Sequence, residues 1–183
     1  MKILKGSTRI VLIFDNFVIK IINISYSLKV CRRLFSDFFT ILRVGMSIED
    51  FIKKYFLSYL KSIIEPVLEN WSEFIFYQRT YHSFCAKTLF SFLGFLNIQE
   101  RCVILTCKSN EIDKYEKLIV STINGFSFDE GYLVHAHVFR NLFNFGYSKN
   151  GNFVCVDYGN KIVQKNILDF GNEIQKAFEN FKK

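Results

Sequence analysis

Proline is almost missing from this chain: Pro66 is the only one in 183 residues. That excludes polyproline segments and Pro-rich linkers, which use the residue repeatedly. Long apolar runs are missing too. The best candidate, Ile10 to Ile24, is interrupted by Asp15, Asn16, Lys20 and Asn23, whereas a membrane-spanning helix needs about 20 mostly apolar residues. The N-terminus does not carry a signal peptide's unbroken apolar stretch before a small-residue cleavage site. The five cysteines, Cys31, Cys85, Cys102, Cys107 and Cys155, form no C-x-x-C pair, so the paired spacing of common zinc sites is lacking. Their odd number leads to the expectation of a reducing, cytoplasmic setting, with most thiols buried as small hydrophobes. No five like charges follow one another. G-x-S-x-G, H-E-x-x-H, G-x-x-x-x-G-K-[ST] and a complete G-x-G-x-x-G are also missing.

What is there begins with hydrophobicity. Half the residues are hydrophobic and 22% are charged. That composition excludes wholesale disorder, and the length is enough to bury a real core. The 22 phenylalanines, beside many Ile, Lys and Asn, read as an AT-rich coding bias rather than a functional signal. The formal charge is +7, which favours anionic partners: nucleotides, nucleic acid or membrane surfaces. The basic residues are dispersed, with small clusters at Arg32-Arg33, Lys53-Lys54 and Lys182-Lys183. A solvated basic surface is therefore the plain reading, and a dedicated nucleic-acid site the sharper one.

Two apolar runs, Ile10–Phe14 and Phe17–Ile22, flank Asp15-Asn16 and predict a hairpin. Leu28, Cys31, Leu34, Phe35, Phe38 and Ile41 recur at helical spacing over 27–44, with Gly45 placed to end the helix. Ser47-Ile48-Glu49-Asp50 resembles a capping box for a helix over 47–64. Its predicted apolar face runs through Ile48, Phe51, Ile52, Tyr55, Leu60 and Ile63. Pro66 is expected to close that helix or start the next, which continues over 67–82 through Val67, Leu68, Trp71, Phe74, Ile75 and Gln78. Leu89–Leu96 and Arg101–Cys107 read as strands. Asn144–Ser148 and Phe153–Asp157 flank Lys149-Asn150-Gly151-Asn152, and Asn-Gly between apolar runs is a strong hairpin signal. An amphipathic helix through Ile174, Ala177, Phe178 and Phe181 closes the chain, and the class expected is α+β.

The stretch from His137 to Gly159 resembles the catalytic core of protein-kinase-like phosphotransferases. In that family H-x-D-x-x-x-x-N is followed by a short hairpin and then D-F-G or a variant. His137 falls on the motif His, Asn144 on its Asn, and Asp157-Tyr158-Gly159 on the D-F-G. Phe139 occupies the usual catalytic Asp position, so the resemblance implies a missing base; His135, His137 and Asp129 are the neighbouring groups that could replace it. Gly6-Ser7-Thr8-Arg9-Ile10-Val11 resembles a shortened glycine-rich loop, and Val18-Ile19-Lys20 the strand whose Lys contacts nucleotide phosphates.

The resemblance implies the rest. Gly6 and Lys20 would bind ATP, Glu73 would orient Lys20, and Asn144 with Asp157 would hold Mg²⁺. Val103–Cys107 would lead to an adenine-binding hinge. The chain would form one kinase-like unit over 1–183. Residues 1–107 would be the N-lobe-like part, with a helical insert at about 27–64, and 108–183 a reduced C-lobe-like part with no A-P-E motif. The functional expectation is a pseudokinase or weak Mg-dependent phosphotransferase. The competing expectation is a basic interaction module on a kinase-like scaffold, binding a protein or nucleic acid. Phe139-Arg140-Asn141-Leu142-Phe143 is the one stretch that interleaves basic and aromatic residues in the way nucleic-acid modules do.

Overall fold

The computed structural model describes residues 1–6, 8–45, 47–105 and 144–181. The class is α+β, built on antiparallel sheets. Five strands form the first sheet: β1 (Lys2–Lys5), β2 (Arg9–Ile13), β3 (Phe17–Ile22), β4 (Thr88–Phe92) and β5 (Leu96–Glu100), in the order β1-β2-β3-β5-β4. The Asp15-Asn16 turn closes the expected hairpin, with the Phe14 amide donating to the Phe17 carbonyl at 3.0 Å. β1 has no counterpart in the sequence reading. Leu89–Leu96 is two strands rather than one, because the chain reverses at Leu93-Gly94. Gly94 sits at φ +78°, and a Cβ there would come 2.2 Å from the Val67 carbonyl oxygen, so the turn can approach the neighbouring helix only as glycine.

Register gives this sheet an unusual inner face. Val11 pairs with Lys20 and Lys20 with Asn97. Asn97 pairs in turn with Ser91, and Gln99 with Thr88. Side chains directly opposite one another share a face, so Lys20, Asn97, Gln99, Ser91 and Thr88 lie together and all are buried. The opposite face carries Phe90 and Phe92, both largely exposed.

Helix α1 (Ile24–Arg43) follows β3, and Gly45 lies just past its end. Ser47 then caps α2 (Ile48–Phe51): the Asp50 amide donates to Ser47 Oγ at 3.1 Å. A π-type turn over Ile52–Phe56 joins α2 directly to α3 (Leu57–Thr80). Pro66 neither closes nor starts a helix; it lies buried inside α3. An interior proline costs about 3 kcal/mol relative to alanine, and tertiary anchoring of the turns that follow it offsets that cost. The buried positions there are Asn70, Glu73, Phe76 and Tyr77, not the more apolar set Val67, Leu68, Trp71, Phe74, Ile75 and Gln78. The helix turns its polar side inward because the sheet face it meets is polar. Upstream, Phe51 is buried, but Ile48, Ile52, Tyr55 and Leu60 are exposed. α2 and α3 pack on α1, which itself has no buried residue.

A second sheet has the order β6 (Val103–Ile104), β7 (Phe145–Tyr147), β8 (Phe153–Cys155), all antiparallel. The β7–β8 hairpin is the one anticipated, with the Gly151 amide bonded to the Ser148 carbonyl at 2.9 Å. Of the strand expected over 101–107, Val103–Ile104 is a strand and the Leu105 amide extends the pairing to the Phe145 carbonyl at 2.9 Å; Thr106 and Cys107 lie outside the described residues. A final helix, α4 (Lys161–Phe181), lays Val163, Ile167, Ile174 and Phe178 on the hairpin. Phe178 stacks on Phe153 at 3.9 Å between ring centroids, and Phe153 on Phe145 at 5.6 Å. Burying each such ring is worth roughly 1.5–3 kcal/mol. The two parts are stitched at Phe84–Ala86: the Cys155 amide donates to the Phe84 carbonyl at 2.7 Å and the Ala86 amide to the Cys155 carbonyl at 2.9 Å.

Candidate functional site

A cleft of about 450 Å³ opens between β2–β3 and the β7–β8 hairpin. Val11, Ile13 and Val18 wall it on one side, Ile104 and Val156 on the other, and Gly6 and Thr8 lie at its rim. The rim is a tight turn in which the Gly6 amide donates to the Arg9 carbonyl at 2.8 Å. Lys20, Asn144 and Asp157 line the same cleft. Gly6, Lys20, Glu73, Asn144 and Asp157 therefore converge from positions spread over 151 residues of sequence. His137 and Phe139 lie outside the described residues, as do Asp129, His135 and the stretch around Arg140.

Lys20 and Glu73 form the innermost contact. Lys20 Nζ donates to Glu73 Oε1 at 2.9 Å, to Glu73 Oε2 at 3.0 Å and to the Val156 carbonyl at 2.6 Å. The ammonium is thus held by one carboxylate and one backbone carbonyl. Lys20 is 6% exposed and Glu73 fully buried. Complete burial pushes the Glu73 carboxyl above its ordinary value, against the opposing pull of Lys20 and Arg9. The helix is held in phase at Asn70, three residues before Glu73: Asn70 Nδ2 donates to the Gly94 carbonyl at 2.9 Å, and Asn97 Nδ2 to the Asn70 carbonyl at 2.6 Å. The Tyr158 amide adds a bond to Glu73 Oε1 at 3.3 Å. Gly159 then runs so close to α3 that a Cβ would lie 2.6 Å from the Glu69 carbonyl oxygen.

The residue that sequence reasoning passed over is Arg9. It was quoted only as part of the glycine-containing segment, yet its alternation with Val11 sets it on the same sheet face as Lys20. Arg9 Nη2 donates to both Asp157 oxygens, at 2.9 and 3.2 Å, and to Glu69 Oε2 at 3.4 Å. Nη1 donates to Asn70 Oδ1 at 3.2 Å and to Glu73 Oε1 at 3.5 Å. Burial pulls the guanidinium's pKa down, but Asp157, Glu73 and Glu69 more than reverse that. Burial likewise pushes the Asp157 carboxyl up, and Arg9 with Lys20 overcomes it, holding the group at about 2. Glu69 is raised by burial.

Chemically, the cleft joins apolar walls to internal cations, and its size lies within the usual range for a small-molecule site. The divalent ion implied by the resemblance does not fit the donors as they stand. Mg²⁺ takes near-octahedral oxygen donors, and both Asp157 oxygens already accept from a guanidinium, as both Glu73 oxygens do from Lys20. Among the described residues no group of three or more His, Cys, Asp or Glu side chains could hold a metal ion. Within the same residues no helix is long and apolar enough to cross a membrane. No protein-family model, curated protein or solved structure matches the chain.

Proposed function

We propose that the chain is a divergent, kinase-like nucleotide-binding protein whose ligand occupies the cleft between β2–β3 and the β7–β8 hairpin. One observation carries the reading: the buried Lys20–Glu73 pair lies at the back of a 450 Å³ cleft that Asn144 and Asp157 also line. The base would stack among Val11, Ile13, Val18 and Val156, and the phosphates would meet Arg9 and the rim at Lys5 and Gly6. Lys20 is a positioning residue here, held on Glu73 and the Val156 carbonyl. The reading leans to a pseudokinase: Phe139 stands where the resemblance calls for a base, and general-base assistance is typically worth about 10²–10⁴-fold in rate. The proposed ligands are ATP or ADP.

A thermal-shift titration tests this. A ligand that binds only the folded state stabilises it by RT ln(1 + [L]/Kd), about 2.7 kcal/mol at a hundredfold excess over Kd. The expected result is a saturable rise in Tm with ATP that is lost in Val11→Trp, which fills the cleft without touching a charge. Failure of the wild type to shift at millimolar nucleotide, together with salt-sensitive binding to mixed DNA and RNA, would replace this reading with a basic interaction module.

A further inference from the structure

We propose that Arg9 takes the place of the divalent cation in this cleft, so that the site accepts nucleotide phosphates without a metal. The proposal rests on the nucleotide reading above. Its basis is the convergence of three carboxylates, Glu69, Glu73 and Asp157, on one guanidinium at 2.9–3.5 Å. The Arg9 side chain is 13% exposed and is held by its strand: its backbone pairs with Ile22 on one side and closes the Gly6 turn on the other. Arginine stays charged at every relevant pH, and its planar fork suits carboxylates and phosphates alike. Asp157 therefore has a permanently charged partner within the chain. A divalent ion at the Asp157 oxygens would have to sit against the Arg9 guanidinium or displace it from its four acceptor side chains, Asn70, Glu69, Glu73 and Asp157.

The same arrangement sets a preference among ligands. Lys20 and Arg9 both line the cleft; Arg9, a planar fork on the strand beside the Gly6 turn, is the cation that can turn part of its fork toward a phosphate. Phosphates already neutralised by Mg²⁺ would gain less from it than free ones. The site should therefore take metal-free ATP at least as well as Mg·ATP.

Two measurements on the full chain decide the matter. The first is calorimetry of ATP with the wild type in EDTA and in excess Mg²⁺. The second follows Mn²⁺ alone by electron paramagnetic resonance in the wild type, Arg9→Lys and Arg9→Gln. The expected results are equal or tighter ATP binding in EDTA, no saturable Mn²⁺ site in the wild type or Arg9→Lys, and a new Mn²⁺ site in Arg9→Gln. Nucleotide binding that is roughly tenfold or more weaker without Mg²⁺ would overturn the proposal. So would a saturable Mn²⁺ site in the wild type, or a folded Arg9→Gln that gains none. If ATP binds in neither buffer, the nucleotide reading fails on its own, while the Mn²⁺ comparison still decides the role of Arg9. Should Arg9→Gln not fold, the wild-type and Arg9→Lys results stand as the test.

Discussion

Lys20→Met keeps the length of the side chain and deletes its charge, which isolates the contact at the back of the cleft. Three charge-assisted hydrogen bonds disappear, two of them to Glu73 at 2.9 and 3.0 Å. Glu73 retains only long contacts, to Arg9 at 3.5 Å, Asn97 at 3.4 Å and the Tyr158 amide at 3.3 Å. Breaking a buried ion pair by removing one partner typically costs about 3–5 kcal/mol. Arg9 shares the Glu73 charge, so the lower end, about 3 kcal/mol, is the expected loss. The cost should depend on pH in a set direction. Glu73 has a raised pKa in the folded protein, and losing Lys20 raises it further. Proton uptake by the folded state therefore relieves the penalty as pH falls, and the full penalty is present above that pKa. Lys20→Met should accordingly be less destabilised at pH 5 than at pH 8. The double variant Lys20→Met/Glu73→Leu should lose less than the two single changes summed, because a buried pair replaced by apolar groups is often close to neutral. Urea unfolding followed by Trp71, the sole tryptophan, on α3 two positions before Glu73, reads all three. A loss below about 0.5 kcal/mol in Lys20→Met, or strict additivity in the double variant, would refute the reasoning.

Three further outcomes follow from the same geometry. Asp157 is held at about 2 by Arg9 and Lys20. Its contribution is present above the ordinary carboxylate range and is lost as pH falls toward 2. The wild type should lose roughly 1 kcal/mol more than Asp157→Asn over that window, a figure reduced for the screening of a partly exposed side chain. Gly159→Ala brings a Cβ to 2.6 Å from the Glu69 carbonyl oxygen and should cost about 1–3 kcal/mol, seen as a lower urea midpoint with an unchanged m-value. Cys85 and Cys155 are buried, and burial pushes both thiols well up. Iodoacetamide should modify them only at the rate of unfolding, whereas mapped adducts should form readily at the half-exposed Cys31.

Local signals in the sequence translated well where local chemistry decides. Asp15-Asn16 and Asn150-Gly151 make their hairpins, Ser47 and Asp50 make the helix cap, and Ile174 and Phe178 face the core from α4. The Lys20–Glu73 pair was reached only through the resemblance, which sets a strand lysine against an acid on a helix. Other features were hidden because tertiary context overrode propensity. Pro66 reads as a boundary, yet packing carries α3 through it. The apolar stripe of α3 reads as its buried side, but Asn70 and Glu73 face inward because Asn97, Gln99 and Lys20 form a polar sheet face opposite them. Leu93-Gly94 was not recognised as a reversal, since its signal lies in the 2.2 Å approach to Val67 rather than in a familiar turn pair. Arg9 escaped notice because its partners, Glu69, Asn70, Glu73 and Asp157, are at least 60 residues away in sequence.

Photolabelling addresses the location of the ligand itself. The full chain would be irradiated with 8-azido-ATP, with and without competing ATP, and the labelled peptides sequenced. The account predicts ATP-protected label on the segments that wall the cleft, β2–β3 around Val11 and Val18 or the stretch from Asn144 to Asp157. Protected label confined to α1 or α4, or label that ATP does not displace, would contradict it.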